Sequence, residues 1–197
     1  MKLNEIFSQT DYYVEEISRS DSEMLQAFAD FYNESGQLSW KLNVSKLKGK
    51  LGSRGLAYGL FADGELVGTI GLKQTDIQGY RGAEIGYLMI DEEHRSFRNL
   101  MMLYKQALRG AKRFDIVFVT TNIKNRPINV LLTKTNKIEK ILKIKSPYSS
   151  NKLYVWQSLR TNGDVPRDER YEVLRQHFIE NIISEYGETE DEISPNQ

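Results

Sequence analysis

Residues 56–72 constrain the fold more than any other stretch of this chain. Leu56-Ala-Tyr-Gly-Leu-Phe-Ala62 and Leu66-Val-Gly-Thr-Ile-Gly-Leu72 are apolar, β-favouring runs separated by Asp63-Gly64-Glu65. An Asp-Gly pair between such runs predicts a tight hairpin, because the turns that match strand twist need positive φ.

The sequence on either side supplies strands and helices in alternation. Residues 11–17 read as a strand, with Tyr12, Val14 and Ile17 as its β-favouring members. Asp21 is placed to cap a helix whose apolar positions, Met24, Leu25, Phe28, Phe31 and Tyr32, fall three and four apart, and Gly36 is placed to end it. Val44, Leu47 and Leu51 share one face of a second, shorter helix. After the hairpin a turn is expected around Gly79-Tyr80-Arg81-Gly82, then a long strand over 83–90. Ser96 is a plausible N-cap for a helix over about 98–112 with Phe97, Leu100, Met101, Tyr104, Leu108 and Ala111 at helical spacing. Residues 114–121 form a continuous β-branched and aromatic run suited to a central parallel strand, and the crossover between the two strands should be right-handed. A short helix over 127–135, strands over 138–144 and 153–159 and a loop between those strands complete this part.

Beyond Arg160 the character changes. Residues 161–166 read as a linker and 167–186 as one amphipathic helix, with Tyr171, Leu174, Phe178 and Ile182 on its apolar stripe. Residues 187–197 are acidic and polar and are expected to be disordered. The division is therefore a domain over 1–160, a linker and helix over 161–186, and a tail over 187–197.

Composition removes several classes of function. No cysteine is present and only His94 and His177 offer imidazole, so disulfides, thiol nucleophiles and the usual zinc sites are not expected. The N-terminal residues lack the apolar core of a signal peptide, and no run reaches the length of a membrane span, so the expectation is a cytoplasmic protein with no membrane partner. The net charge of zero conceals an asymmetry. Residues 95–152 hold 14 Lys or Arg against Asp115 and Glu139, about +12, whereas residues 160–197 sum to −6. Such a block can face phosphates, of a cofactor or of a nucleic acid; it can equally be a solvated surface balanced by the acidic ends.

Three segments, in order, resemble the GNAT (Gcn5-related N-acetyltransferase) superfamily over about three quarters of the chain. Tyr58-Gly-Leu-Phe-Ala-Asp-Gly-Glu-Leu-Val-Gly-Thr-Ile-Gly71 resembles its central hairpin, Ala83-Glu-Ile-Gly-Tyr-Leu-Met-Ile90 the strand that opens its acyl-CoA site, and Asn125-Arg-Pro-Ile-Asn-Val-Leu-Leu-Thr-Lys-Thr-Asn136 its late asparagine-led helix. The resemblance implies an α/β fold with a mixed central sheet of about seven strands flanked by helices, plus the C-terminal helix.

It also implies N-acyl transfer from acetyl-CoA or another acyl-CoA to an amine. In the family a splayed strand exposes backbone N–H groups to the pantetheine arm, and a helix N-terminus cradles the pyrophosphate. Carried over by position, Leu88, Ile90, Arg95, Ser96, Phe97, Arg98, Asn99 and Asn125 are the cofactor-binding candidates. Glu84 is the candidate general base, with a salt-bridged glutamate as the alternative. The sequence departs from the family pattern at three places. Arg98 and Leu100 stand where the phosphate loop has small residues, Leu132 stands at the position of the thiolate-protonating tyrosine, and Asn136-Lys137 replaces a Gly-Phe pair. Either Arg98 offers phosphate a guanidinium fork in place of backbone contacts, or the pocket is closed. Tyr148, and less directly Tyr104, are the alternative proton donors; His94 reads as a turn residue. The acceptor class left open is a small-molecule, protein or nucleic-acid amine, with nucleic acid engaging the basic segment 95–152. A non-catalytic scaffold that binds a partner or homodimerises through the helix over 167–186 is a further reading.

Overall fold

A computed structural model describes residues 10–34, 41–135, 137–145, 152–186 and 194–195. Its strands are β1 (Tyr12–Ile17), β2 (Leu56–Ala62), β3 (Glu65–Ile77), β4 (Tyr80–Ile90), β5 (Ile116–Asn122), β6 (Ile138–Lys145), β7 (Lys152–Ser158) and a two-residue β8 (Ser194–Pro195). The helices are α1 (Ser22–Glu34), α2 (Val44–Leu51), α3 (Phe97–Gly110), α4 (Arg126–Lys134) and α5 (Arg167–Tyr186). One mixed sheet runs β1-β2-β3-β4-β5-β7-β6-β8, antiparallel except where β4 meets β5.

The expected Asp-Gly hairpin forms, with Asp63 at φ 50° and Gly64 at φ 91°. The next turn differs from expectation. It is the pair Gln78-Gly79 (φ 53° and 86°), not residues 79–82, so β3 and β4 run on to pair Ile77 with Tyr80 and Asp76 with Arg81. Gln78 accepts the left-handed conformation that such a two-residue turn requires, and its side chain gives no sign of this. Gly82, assigned to that turn by its type, instead sits inside β4, where a Cβ would meet Ile77 side-chain atoms at 2.5 Å. Helix starts follow the predicted caps: Asp21 Oδ1 accepts from Met24 N at 2.9 Å and Ser96 Oγ from Asn99 N at 3.1 Å. Gly36 lies outside the described residues.

Strand alternation divides the core between the two faces of the sheet. Val117 and Val119 join the cluster beneath α3 and α4, together with Leu56, Tyr58, Ile70, Ile85, Leu103, Tyr104, Leu132 and Trp156. Ile116 and Phe118 face the other way and join Ile141, Leu142, Val155 and Leu174 beneath α5. On that second face α1 and α2 form their own cluster over β2–β4, built on Leu25, Phe28, Leu47, Leu51 and Tyr87. The apolar stripe of α5 thus packs on the chain's own sheet through Leu174, Tyr171 and Phe178, whose ring meets Phe118 at 5.3 Å. Within the tail expected to be disordered, Ser194–Pro195 pair antiparallel with Leu142 and Lys143. The outer edge of β6 leaves unpaired N–H and C=O groups, which an edge strand satisfies. Among the described residues no helix is long and apolar enough to cross a membrane.

Candidate active site

The sheet opens between β4 and β5. Their parallel pairing runs from Gly82↔Ile116 to Ile85↔Val119 and stops there, although β4 continues to Ile90 and β5 to Asn122. The parting coincides with a bulge. On β4, Tyr87 and Leu88 together oppose Ile70 of β3, since Thr69 pairs with Met89 and Gly71 with Gly86. Tyr87 takes φ 55°, uncommon for an aromatic residue and costing on the order of 1–3 kcal/mol in backbone strain.

The bulge changes which side chains share a face. It brings Tyr87 to the side of the sheet that carries Glu84, while Leu88 and Ile90 join the α3 side. Gly71 and Gly86 sit opposite each other, and the space left by their missing side chains is filled. A Cβ on Gly71 would meet the Tyr87 ring at 3.0 Å, and one on Gly86 would meet Lys73 Cε at 2.9 Å. Tyr87 packs edge-on against Tyr32 (5.1 Å) and Phe28 (5.9 Å) of α1. Burial, with a lesser push from Tyr32 and Glu84, raises its phenol to about 12.

Glu84 lies directly across the ladder from Lys73, and its Oε2 is 2.5 Å from Lys73 Nζ. Thr120, the first β5 residue past the last pair, donates its hydroxyl to Glu84 Oε1 at 3.1 Å. Both charged side chains keep 26% of their surface exposed, so the pair is open to solvent between the α1–α2 cover and α5. The salt-bridged glutamate anticipated as the alternative is therefore present in this state. The pairing does not disqualify Glu84 as a base, because the pair is partly open to solvent and an incoming amine can compete for the carboxylate.

On the opposite face the chain turns from β4 into α3. Arg95 Nε donates to Ile90 O at 3.0 Å, and His94 is held by the Tyr12 hydroxyl at 3.0 Å from Nδ1, which makes it a turn residue tied to β1. Asn99 is 3% exposed; its N–H goes to Ser96 Oγ and its amide donates to His94 O at 2.8 Å. The N–H groups of Ser96, Phe97 and Arg98 have no partner among the described residues and stand at the positive end of a 14-residue helix. Leu100 is partly buried and packs against the core beneath α3.

The helix α4 borders the same opening. Asn125 caps it weakly, with Oδ1 3.4 Å from Ile128 N. Asn129, which sequence reasoning missed, anchors it more firmly. Its Nδ2 donates to Asn122 O at 3.0 Å, its Oδ1 accepts from Thr121 at 2.6 Å, and Thr121 Oγ1 accepts from Trp156 Nε1 at 2.8 Å. Leu132 is 1% exposed and belongs to the core. Tyr104 is 2% exposed, its hydroxyl has no partner among the described residues, and burial pushes its phenol far up; it packs in the core beneath α3. Tyr148 lies outside the described residues. Lys73, Tyr87, Thr120 and Asn129 were not singled out from sequence because only the register and the bulge bring them to the opening.

Among solved structures the chain resembles an acetyltransferase of the GNAT family from Streptococcus pneumoniae at TM-score 0.54 and 14% identity, over 75% of this chain and 99% of that one. It also resembles NAA60 of Arabidopsis thaliana in complex with a bisubstrate analogue, at TM-score 0.55 and 15% identity over 78% and 100% of the two chains. The chain has the GNAT fold. A third neighbour is FeeM, an N-acyl amino acid synthase from uncultured soil microbes, at TM-score 0.52 and 15% identity over 77% and 92%. At these identities the likeness is one of architecture. No sequence-family model matches the chain, and no curated protein matches it in sequence. It is a divergent example of the GNAT fold in which the opened β4–β5 pair and the helix that follows β4 are both kept.

Proposed function

We propose that this protein transfers an acyl group from CoA to an amine. The observation that carries the reading is the parting of β4 from β5 after Ile85↔Val119, followed a short turn later by the N-terminus of α3, where three N–H groups have no partner among the described residues. Acyl-CoA supplies an activated thioester, and the residues present fit it. Partly buried Leu88 offers apolar surface past the last β4–β5 pair, and Ile90 backs it from the core. The N–H groups of Ser96, Phe97 and Arg98 are the donors for the pyrophosphate, and the exposed Arg98 adds a guanidinium within the same turn. Arg95 fixes the entry of this turn through Ile90 O, Asn99 holds it from inside, and Asn125, the N-cap of α4, is the further cofactor contact proposed. Glu84, reached from the α1 side, is the base that accepts the proton of the acceptor ammonium, through water where needed. Tyr148 is the proton donor assigned to the departing thiolate. Isothermal titration of the folded protein with acetyl-CoA should give saturable heat; none at millimolar ligand refutes the proposal.

A second reading gives the acceptor a nucleic-acid identity, and one groove favours it. Ile123, Arg126, Asn129, Val130, Thr133, Lys134 and Tyr154 line an open depression of about 430 Å³ between α4 and β7. Lys140 Nζ lies 4.6 Å over the Tyr154 ring, Lys143 pairs with Tyr154 across the ladder, and Arg126 and Lys134 line the same depression, so the groove joins basic side chains to an aromatic ring. Phosphates neutralised by such a groove release counterions on binding. Fluorescence anisotropy with a single-stranded oligonucleotide should show affinity falling steeply with salt, and Arg126→Glu with Lys134→Glu should abolish it. Salt-independent binding, or none at low salt, excludes this acceptor.

A further inference from the structure

The amine nearest the opened strand pair belongs to the protein itself. Lys73 Nζ is 2.5 Å from Glu84 and 5.5 Å from the centroid of the Tyr87 ring. Its stem crosses Gly86, where an added Cβ would stand 3.3 Å from Nζ. Gly86 is the first β4 residue past the last β4–β5 pair, so the ammonium stands at the apex of the opening. A carboxylate on one side and an aromatic face on the other form a setting that selects a primary ammonium. The side chain is a quarter exposed, leaving room for a second reactant.

We infer that Lys73 is a site of self-acylation. The inference rests on the acyl-CoA reading above. In the step, Glu84 takes a proton from the Lys73 ammonium, and the neutral Nζ attacks the thioester carbonyl carbon. The C–N bond forms as the C–S bond breaks and the thiolate of CoA leaves; of the two protons that the nitrogen gives up, the one lodged on Glu84 passes to the thiolate and the other is released to water. The products are an N-acyl-lysine and free CoA, with no oxidant or further reactant. Acylation removes the charge that ties up Glu84. The carboxylate is then free for an external amine, so the first turnover on Lys73 prepares the site for the next on an acceptor.

Full-length protein incubated with acetyl-CoA and no acceptor is read by intact mass and by peptide mapping. The expected result is one acetyl group per chain, located at Lys73, lost in Lys73→Arg and slowed by roughly 10²-fold or more in Glu84→Gln. Acetylation spread over exposed lysines at equal rates, or an unmodified Lys73 in protein that binds acetyl-CoA by titration calorimetry, overturns the inference. Absence of calorimetric binding overturns it as well, through the reading on which it rests. The wild-type measurement needs no variant to fold, and melting temperatures of both variants establish that their losses are local.

Discussion

Glu84→Gln should lower kcat/KM for amine acylation by about 10²–10⁴-fold, the range for loss of a positioned general base. The amide is nearly isosteric and can still accept from Thr120, so the local geometry survives. What is lost is the ability to take a proton. The ion pair with Lys73 is lost too, but both side chains keep a quarter of their surface in water, so Lys73 can be solvated and the cost is on the order of 1 kcal/mol. Stability and activity should therefore separate, with a melting point near the wild type and a rate constant far below it. The KM for acyl-CoA should hold steady, because its proposed contacts lie on the α3 face and Glu84 on the other. A fall in activity no larger than the fall in folded protein would mean that Glu84 is only the partner of Lys73.

The second large effect concerns acid stability. Asp115 accepts from Arg81 N at 2.9 Å, from Arg81 Nε at 2.9 Å and Nη2 at 2.5 Å, and from the Asn162 amide. One carboxylate thus ties the start of β4, the start of β5 and the segment that leads into α5. The Arg81 side chain is the main reason its pKa falls from 3.8 to about 2; the Arg81 N–H and Asn162 assist, and burial opposes. A pKa lower in the folded state means that the unfolded chain binds the proton more readily. The contribution is fully present above about pH 4 and disappears as pH falls toward 2. A shift of this size corresponds to roughly 2–3 kcal/mol. Asp115→Ala should cost about that much at neutral pH, since half-exposed Arg81 can regain water once its partner is gone. Urea midpoints measured from pH 6 to pH 2 should fall steeply for the wild type and much less for Asp115→Asn; equal slopes would refute the assignment.

The fold was legible wherever a local signal had a local cause. Asp63-Gly64 marked its turn, Ser96 its cap, and the spacing of Leu47 and Leu51 the short helix, because each depends on a few neighbouring residues. The Gln78-Gly79 turn was misplaced because glycines at 79 and 82 compete as turn markers, and only the pairing of β3 with β4 decides between them. The candidate site was less legible. Glu84 and the segment 95–99 could be placed by resemblance. Nothing in residues 83–90 shows that Tyr87 adopts φ 55°, and without that bulge Tyr87 would face α3 and not α1. Lys73 becomes a neighbour of Glu84 only through long-range register, which a one-residue slip would destroy. Asn129 looked like an ordinary helix position until the end of β5 was seen beneath it.

The early end of the β4–β5 ladder also has a mechanical consequence. Only four residue pairs join the block β1–β4 to the block β5–β7–β6, whereas nine join β3 to β4. Backbone pairing between the two blocks is therefore sparse at this narrow neck, and like the arms of a clothes peg they are held together mainly by the side-chain core they share beneath α3 and α4. A molecule wedged between the arms would set the angle between them and carry load across the seam that hydrogen bonds leave empty. The compliance of the whole sheet, and not only the occupancy of a pocket, is then under the control of whatever enters there.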